Sequence, residues 1–331
     1  MAKFVRDEFA RGIYRRFGPC YIVVRTIEEV KVERRTCECG CGREVKDGRR
    51  FCRGHDVRLK AALKRAWREE RDYAALEELR ARGWLPTKDN RRFGVEIEFL
   101  IRERDLPRVK EELEARGLRA EYESYNHVTK THWKITTDSS VQKAGWLGRE
   151  LVSPILAGKS GKEKVRLACE ALRAAGAIVN RTCGLHVHHN AKNLRSKQLR
   201  HLVAMAVRYQ GAFNAMVAPS RRRNQYCEPL TEDVLRAVDR FGVGAAAEML
   251  SRYMALNLHA YVAHGTVEFR QHQGTLNGEK VVAWIEVGQA LIRAAARGDE
   301  FEGVALADLL EWSNERREWW RRRIEALGAA A

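Results

Sequence analysis

Two glutamates stand one residue apart in the apolar stretch FGVEIEF. In a β-strand, the two-residue period would place Glu96 and Glu98 on one face, about 6–7 Å apart. The other face would carry Val95, Ile97 and Phe99, which are all apolar. Two carboxylates on a strand whose opposite face is buried are costly unless a positive charge neutralises them. The pattern therefore indicates a strand that binds a cation, with a solvent-facing edge strand as the alternative.

Four further segments bring acids, imidazoles or a guanidinium at the spacing of strands. They contribute Asp138 in WKITTDSS, Glu150 in RELVSPIL, His186 and His188 in CGLHVHHN, and Glu268 and Arg270 in TVEFRQHQGT. Alternation puts His189 on the opposite face of its strand from the other two histidines. Oxygen ligands with few histidines suit Mg²⁺ or Mn²⁺ better than the His-rich ligation of a zinc hydrolase. We therefore expect the five strands to meet around a divalent-cation site.

A second candidate metal site lies near the N-terminus, in TCECGCGREVKDGRRFCRGHD. Structural zinc takes four sulfur or nitrogen ligands, usually from two short clusters. Cys37, Cys39 and Cys41 form one such cluster, and Cys52 with His55 forms the other. Five candidates compete for four places, and we expect Cys39 to be the spare because the C-x3-C pair converges better on an ion. The alternative is a basic loop of reduced cysteines without a metal.

The elements that would position these side chains follow from hydrophobic periodicity. Strands are predicted at residues 93–101, 133–137, 149–152, 184–189 and 266–270. Helices are predicted at residues 56–82, 106–116, 161–175, 196–216, 231–240, 279–297 and 313–326. Gly117, Gly176 and Gly298 lie just beyond three of these helices, where glycine is favoured as a C-terminal cap. Alternating strands among helices favour an α+β fold with an antiparallel or mixed sheet over a doubly wound one.

The length of 331 residues predicts roughly two domains. Hydrophobic residues make up 45 % of the chain, which is enough for a core and excludes wholesale disorder. We expect four parts in all. They are a basic N-terminal segment with the zinc module over residues 1–60, a helical connector over 61–90, a catalytic domain over 91–311 and a basic C-terminal helix over 312–331.

The chain is strongly basic, with a net charge of +17. Residues 1–92 contain 25 Lys/Arg and 15 Asp/Glu, so they carry +10 of this excess. Such a surface attracts polyanions such as nucleic acid, although the charge could also serve solubility alone. No apolar stretch approaches the ~20 residues of a membrane span, and the N-terminus lacks the apolar core of a signal peptide. These features predict a cytoplasmic protein that binds no membrane.

The order of the motifs resembles a known family, the amidoligases. FGVEIEF, WKITTDSS, RELVSPIL, CGLHVHHN, RYMALNLHAY, TVEFRQHQGT and the following Trp284 occur in the order seen in that family, over about residues 91–295. Amidoligases belong to the carboxylate–amine ligases, whose fold is like that of glutamine synthetase. The resemblance implies a catalytic domain of that fold, which joins a carboxylate to an amine through an acyl phosphate made from ATP.

The resemblance also implies a role for each matching residue. One Mg²⁺ or Mn²⁺ ion that bridges the ATP phosphates would be held by Glu96, His186 and Glu268. A second ion would be held by Glu98, Glu150 and Asp138. His188 would contact a phosphate and Arg270 would stabilise the transferring phosphoryl group. Arg252 and Asn257, in the strand before Thr266, would be further substrate or phosphate contacts.

Two other classes of function stay open on the sequence. The first is a metal-dependent hydrolase or nuclease that uses the same acids and histidines. The second is a non-catalytic protein whose zinc module binds nucleic acid or another polymer. For the ligase, the substrates implied by the resemblance are amino acids, peptides, cell-wall fragments or, in a phage setting, modified bases. Assembly as a homo-oligomer is expected from the same superfamily.

Overall fold

The fold is described by a computed structural model of the chain. It describes residues 15–17, 20–22, 36–46, 49–69, 74–75, 78–79, 82, 90–124, 126, 128–299, 301–310 and 312–328. The chain divides into two compact units, Met1–Leu79 and Arg80–Ala331. Much of the predicted N-terminal segment and helical connector lies outside the described residues.

The first unit is small and contains the cysteine-rich segment. Two short strands, β1 (Arg15–Phe17) and β2 (Cys20–Ile22), pair antiparallel. An isolated antiparallel bridge between Thr36 and Glu44 closes the loop that carries the cysteine triplet. Helix α1 (His55–Glu69) follows, with Asp56 in its first turn, where an acidic side chain is favoured by the helix dipole.

A seven-stranded sheet forms the centre of the second unit, in the order β4-β5-β6-β3-β7-β9-β8. Its strands are β3 (Phe93–Ile101), β4 (Ala120–Tyr122), β5 (Trp133–Thr137), β6 (Leu147–Val152), β7 (Gly184–Asn190), β8 (Leu256–Asn257) and β9 (Thr266–Gln273). All neighbouring strands pair antiparallel except β4 and β5, which are parallel. The predicted α+β class with a mixed sheet is therefore confirmed. The short strands β4 and β8 escaped the periodicity criterion.

Helices complete the second unit. They are α2 (Leu106–Ala115), α3 (Gly158–Ala174), α4 (Ser196–Arg208), α5 (Gln210–Met216), α6 (Glu232–Met249), α7 (His259–His264), α8 (Gly278–Arg297), α9 (Leu306–Leu309) and α10 (Asn314–Ala326). The predicted caps Gly117, Gly176 and Gly298 all adopt positive φ. The predicted helix over residues 196–216 is instead two helices that meet at Tyr209. The helix predicted to end at residue 240 continues to Met249 across a kink at Gly242, where φ is 77°.

One face of the sheet packs against helices in a single apolar core. Val95 and Ile97 of β3 belong to this core together with buried residues of α3, α4 and α8. His189 lies on this face, opposite to His186 and His188 as the alternation predicted, and the structure shows that it is fully buried. A side chain at Gly288 would place its Cβ 2.3 Å from Nε2 of His189, so glycine is required where α8 meets β7. The face with the predicted acids is therefore left free of these helices.

The C-terminal helix α10 packs against the rest of the second unit through tryptophan side chains. Trp320 is buried and stacks on Trp312, with ring centroids 5.6 Å apart and planes 7° apart. Nη2 of Arg323 lies 3.2 Å from Nε2 of His272 on β9. These contacts give the tryptophans of the basic segment a packing role. Among the helices in the described part of the chain, none is both long and apolar enough to cross a membrane.

Candidate active site

A cleft of about 1270 Å³ opens on the face of the sheet that carries the predicted acids. All predicted site residues of the second unit line it. They are Glu96, Glu98, Asp138, Glu150, His186, His188, Arg252, Asn257, Glu268 and Arg270. The sequence separation of these residues is large, so it is the sheet that brings them together.

The register of the sheet explains the convergence. Glu96 lies opposite His186, and Glu98 lies opposite Glu150 on the other neighbouring strand. His188 in turn lies opposite Glu268. Side chains of directly opposed residues on one face stand close enough to interact. The antiparallel pairing of β6, β3, β7 and β9 thus builds a continuous row of acids and imidazoles.

His186 and His188 sit between the glutamates. Nδ1 of His186 lies 3.2 Å from Oε2 of Glu96, and its Nε2 lies 3.4 Å from Oε1 of Glu98. Nε2 of His188 lies 3.3 Å from Oε1 of Glu96, while its Nδ1 lies 3.0 Å from Oγ1 of Thr266. Each imidazole therefore has one nitrogen within 3.3 Å of a different oxygen of Glu96, so the two rings flank this carboxylate.

Glu268 is fixed by two donors. Nη1 of Arg270 donates to its Oε1 at 2.6 Å, and Nδ2 of Asn257 donates to its Oε2 at 2.6 Å. Oδ1 of Asn257 accepts a hydrogen bond of 2.9 Å from the backbone amide of His259. Both ends of the Asn257 amide are thereby engaged. In this structure Asn257 orients Glu268 rather than presenting a free group to the cleft.

Electrostatics divide the cluster into two parts. Burial opposes ionisation of Glu96, but His188 and His186 hold the pKa of its carboxyl well below the ordinary value. Burial also opposes the charged form of His188, yet Glu268 and Glu96 raise its pKa to about 9. These groups compensate one another as ions of opposite charge, with Glu268 buried and Glu96 and His188 partly exposed to the cleft. The balanced half of the site is thus the part around β7 and β9.

Glu150 belongs to the other, uncompensated part. Burial, followed by repulsion from Glu96 and Glu98, raises its pKa well above the ordinary value. Within the described residues its carboxylate forms no ion pair, although Asp138 lies nearby and adds repulsion. Oδ1 of Asp138 accepts hydrogen bonds from the backbone amide and hydroxyl of Ser140, at 2.8 and 2.7 Å. Repulsion around the Glu150 carboxyl is therefore not offset by an ion pair with any described residue.

The donor atoms fit divalent cations. Three groups have ligand atoms that lie within 4.8 Å of one another, namely Glu96 with His188 and Glu268, Glu96 with Glu150 and His186, and Glu98 with Asp138 and Glu150. They are mostly carboxylate oxygens, which Mg²⁺ and Mn²⁺ prefer. A carboxylate without a cationic partner among the described residues, that of Glu150, is a second feature typical of a cation site. The groups share residues, so they form one extended cluster.

Arg252 lies apart from this cluster. It is in a turn before β8 and not on a strand, and its guanidinium stands over the ring of Tyr253 at 5.1 Å. The guanidinium of Arg270 also lies over this ring, 5.7 Å from its centroid. Both arginines line the cleft. The structure therefore places Arg252 at the cleft wall and not among the acids.

Two cationic residues of the cleft escaped the sequence interpretation. Lys134 is only 4 % exposed and donates to the backbone oxygen of Asn126 at 2.6 Å. The alternation that placed Asp138 on the cleft face would also have placed Lys134 there. Arg221 is 2 % exposed and also lines the cleft. It is the last residue of the 3₁₀ turn Pro219–Arg221 and the first of three consecutive arginines, so no strand or helix period marks it.

The cysteine-rich segment in the first unit forms a compact group of its own. Ligand atoms of Cys37, Cys39, Cys41 and His55 lie within 4.8 Å of one another. Sγ of Cys39 is 3.1 Å from Nδ1 of His55 and 3.3 Å from Sγ of Cys37. Burial opposes ionisation of Cys37, but hydrogen bonds from backbone amides, including that of Cys52, lower its pKa to about 6. A thiolate of this kind is suited to a metal.

This arrangement differs from the expectation that Cys39 is the spare ligand. The expectation treated the triplet as strand-like, whereas residues 38–41 form a turn with Gly40 at a φ of 78°. The turn brings Cys39 next to His55. Sγ of Cys52 is not within 4.8 Å of every ligand atom of this group, although burial and then hydrogen bonding with the thiol of Cys37 raise the pKa of Cys52. The sequence could not reveal the turn because a C-x-C-x-C run is compatible with either conformation.

Comparison with known proteins places the larger unit. Residues 89–292 match the family model described as "putative amidoligase enzyme". This range covers more than half of the chain and contains every acid, histidine and arginine that was assigned above to the cleft cluster. No curated protein matches the sequence. The chain belongs to the amidoligase family.

Proposed function

We propose that this protein is an ATP-dependent carboxylate–amine ligase whose catalytic domain has a glutamine synthetase-like fold. The observation that carries the proposal is the cleft floor, where three overlapping groups of cation ligands adjoin Arg270 in a member of the amidoligase family. Phosphoryl transfer requires positioning and charge neutralisation more than a nucleophilic side chain. A floor of acids beside a partly buried arginine meets that requirement.

Two divalent cations would occupy the cluster. Glu98, Glu150 and Asp138 would hold one ion. Glu96 and Glu268 would hold the other together with an imidazole, which is His186 in the set implied by the family resemblance and His188 in the group of ligand atoms that lie within 4.8 Å of one another. Bound there, Mg²⁺ or Mn²⁺ would neutralise and orient the phosphate oxygens of ATP. The uncompensated charge around Glu150 supports this assignment, because a cation is what the buried carboxylates lack.

The proposed reaction has two steps. A carboxylate oxygen of the acid substrate attacks the γ-phosphorus of ATP, the bond to the bridging oxygen breaks, and ADP leaves. The amine nitrogen then attacks the carbonyl carbon of the acyl phosphate, phosphate departs, and the amine loses a proton. Arg270 would stabilise the charge of the transferring phosphoryl group, and its bond to Glu268 keeps its guanidinium in place. His188 would contact a phosphate from the neighbouring strand.

The size of the cleft supports two substrates. Its volume of about 1270 Å³ exceeds the ~300–1,000 Å³ typical of a site for one small molecule. We propose that ATP shares it with an acid substrate such as an amino acid, peptide, cell-wall fragment or modified base. Arg252, on the wall, would contact the substrate or a phosphate.

The cysteine group in the first unit would bind structural zinc and form a basic module for a polyanion such as nucleic acid. Its support is the close approach of three thiols and one imidazole, together with the excess of basic residues in that part of the sequence. Deletion of residues 1–60 is then expected to weaken target binding and to leave basal ATP turnover unchanged. Equal loss of both would contradict this division of labour. A cytoplasmic location and a homo-oligomeric state remain predictions from the sequence.

The test of the proposed function is mass spectrometry of a library of acids and amines incubated with the protein, ATP and Mg²⁺. A ligase yields a product lighter than the sum of one acid and one amine by one water, and repeated turnover with ADP release requires both substrates. Cleavage of a substrate without ATP would favour the hydrolase or nuclease instead. Polymer binding that is unaffected by substitution of Glu96 or Glu268 would favour the non-catalytic alternative.

A further inference from the structure

The strand that carries Arg270 contains an irregularity. In the pairing of β7 with β9, Leu185 lies opposite His272, but Val187 lies opposite Phe269. One residue of β7, His186, is thus opposed by two residues of β9. This is the arrangement of a β-bulge, which interrupts the ladder and redirects side chains. The bulge falls inside the candidate site.

The bulge decides which side chains of β9 enter the cleft. In an unbroken strand, Glu268, Arg270 and His272 would share one face. In the structure Glu268 and Arg270 face the cleft, whereas His272 is fully buried and packs against Trp284 of α8 at 5.3 Å. The extra residue therefore turns His272 into the core, while Arg270 stays on the cleft face with Glu268.

Arg221 binds the backbone at this point. Its Nη2 donates to the carbonyl oxygen of Arg270 at 2.7 Å, and its Nε donates to that of Gln271 at 3.5 Å. The side chain is almost wholly buried, and it has no carboxylate partner within the described residues. A guanidinium that is buried without a counter-ion is costly unless its hydrogen bonds and surroundings compensate it.

The surroundings of Arg221 include the anionic cluster. A Cβ at Gly184 would lie 3.0 Å from both Nη2 of Arg221 and Nε2 of His186, so the guanidinium fits beside that ring only because residue 184 is glycine. The amide of Gly184 donates to Oε2 of Glu98 at 2.6 Å. The positive charge of Arg221 is therefore placed at the corner where β7 meets the acids.

We propose that Arg221 is a positioning residue, which clamps the bulge of β9 through the carbonyl oxygens of Arg270 and Gln271 and thereby aims Arg270 at the transferring phosphoryl group. The inference deepens the proposed ligase function and rests on it for its kinetic consequence. The clamp itself is a property of the protein without substrates. Its structural part can therefore be tested even if the reaction is a different one.

The adjacent arginine offers a matched control. Arg222 also donates to backbone oxygens, at 3.0 Å to Asn214 and 3.0 Å to Leu327, but it does not line the cleft. We would compare Arg221→Gln, Arg221→Lys and Arg222→Gln by hydrogen exchange of the peptide that covers residues 268–273, in the absence of nucleotide. Faster exchange is expected in both Arg221 variants, because a lysine lacks the planar fork that reaches two carbonyls. Arg222→Gln is expected to exchange there as the wild type does.

Kinetics supply the second readout. Arg221→Gln should lower kcat for ADP release by at least about tenfold with little change in the KM for ATP, since Arg270 acts in the transition state. The double variant with Arg270→Gln should be no slower than Arg270→Gln alone, because Arg221 acts through Arg270. Multiplying effects in the double variant, or unchanged exchange in both Arg221 variants, would overturn the proposal. If the wild type releases no ADP with any acceptor, the ligase function fails, and the exchange comparison alone decides the role of Arg221.

Discussion

Glu98 of β3 and Glu150 of β6 stand directly opposite each other across an antiparallel strand pair, and both are buried. Like charges in opposed positions of a sheet are destabilising. Glu98 receives a hydrogen bond from the amide of Gly184, but Glu150 has no such support among the described residues. The sheet thus keeps a repulsive pair at the bottom of a cleft, an arrangement that a bound divalent cation would stabilise.

We predict that Glu150→Gln stabilises the metal-free protein. The pKa of Glu150 is raised in the folded state, so the folded protein holds this proton more tightly than the unfolded chain. The free energy of unfolding therefore decreases as the pH rises above the ordinary carboxyl value of 4.5. The Glu150→Gln variant should not show this decrease. Urea unfolding at pH 5 and pH 8 in the presence of a chelator measures the free energy of unfolding of both proteins.

Addition of metal should reverse the order of stability. Mn²⁺ or Mg²⁺ is expected to raise the Tm of the wild type and to raise that of Glu150→Gln much less. Glu248→Gln, at an exposed position of α6, serves as the control for loss of a carboxylate. A metal-free Glu150→Gln protein that is less stable than the wild type at pH 8 would speak against a repulsive cluster.

We predict that Glu96→Ala and Glu268→Ala abolish ATP turnover and leave the fold intact. Each removes a carboxylate that belongs to a candidate cation group, while the apolar face of its strand is unchanged. ADP release gives the activity, and circular dichroism with the Tm gives the fold. Glu121→Ala, on the edge strand β4, should retain full turnover. Wild-type activity in either site variant would refute the assignment of these acids.

Arg270 should matter for rate more than for binding. By analogy with arginines that stabilise transferring phosphoryl groups, Arg270→Ala is expected to lower kcat on the order of 10³-fold. Lysine at this position should restore little, because it lacks the guanidinium that bonds Glu268 and reaches over the ring of Tyr253. Steady-state kinetics of ADP release test this. A variant that raised KM alone would indicate a role in ground-state binding instead.

The burial of His189 leads to a prediction of how acid changes the free energy of unfolding. Burial lowers the pKa of this imidazole from 6.5 to about 3, so it stays neutral in the folded protein. The unfolded chain takes up the proton below about pH 6.5, and the resulting loss of stability continues until the folded protein titrates near pH 3. Between pH 7 and pH 5 this amounts to about 2 kcal/mol, from ~1.4 kcal/mol per pH interval of one.

His189→Leu should therefore show a weaker loss of stability between pH 7 and pH 5 than the wild type in urea unfolding. Val267 lies opposite His189 in the sheet and carries no titratable group. Val267→Ala is thus the matched control and should lower stability equally at both pH values. If His189→Leu kept the wild-type difference between pH 7 and pH 5, burial of a neutral histidine would not explain the acid sensitivity.

The zinc module yields a prediction that separates two ligand sets. The structure groups Cys39 with Cys37, Cys41 and His55, so Cys39→Ser should reduce bound zinc to well below one equivalent. Cys52→Ser should retain zinc, because its sulfur lies outside the group. Metal analysis of the purified variants decides between them. Zinc loss in Cys52→Ser together with zinc retention in Cys39→Ser would restore the ligand set expected from the sequence.

Sequence periodicity was sufficient for the parts of the site that lie on regular strands. Alternation alone placed Glu96 and Glu98 on one face and His186 with His188 on one face, and both pairs line the cleft. It also placed His189 on the opposite face, which the structure shows to be the core. Burial on one side of a strand imposes this two-residue period, so the orientation of each side chain was encoded locally.

Features that depend on distant contacts could not be predicted in this way. The bulge at Arg270 and Gln271 breaks the period and sends His272 into the core, and its clamp, Arg221, is about fifty residues away. Where the predicted helix divides, the hydroxyl of Tyr209 donates hydrogen bonds to the carbonyls of Phe301 and Val304, which are more than ninety residues away in the sequence. Such contacts are set by tertiary packing, which a single local pattern does not contain.

A crystal structure of the protein with Mn²⁺ and a non-hydrolysable ATP analogue, measured at the manganese absorption edge, tests whether the acids of the cleft bind divalent cations beneath the phosphates of ATP. We expect anomalous peaks among Glu96, Glu98, Glu150 and Glu268, with the analogue's phosphates and Arg270 around them. A bound analogue with no manganese among these carboxylates, or manganese only at other places on the protein, would contradict this expectation.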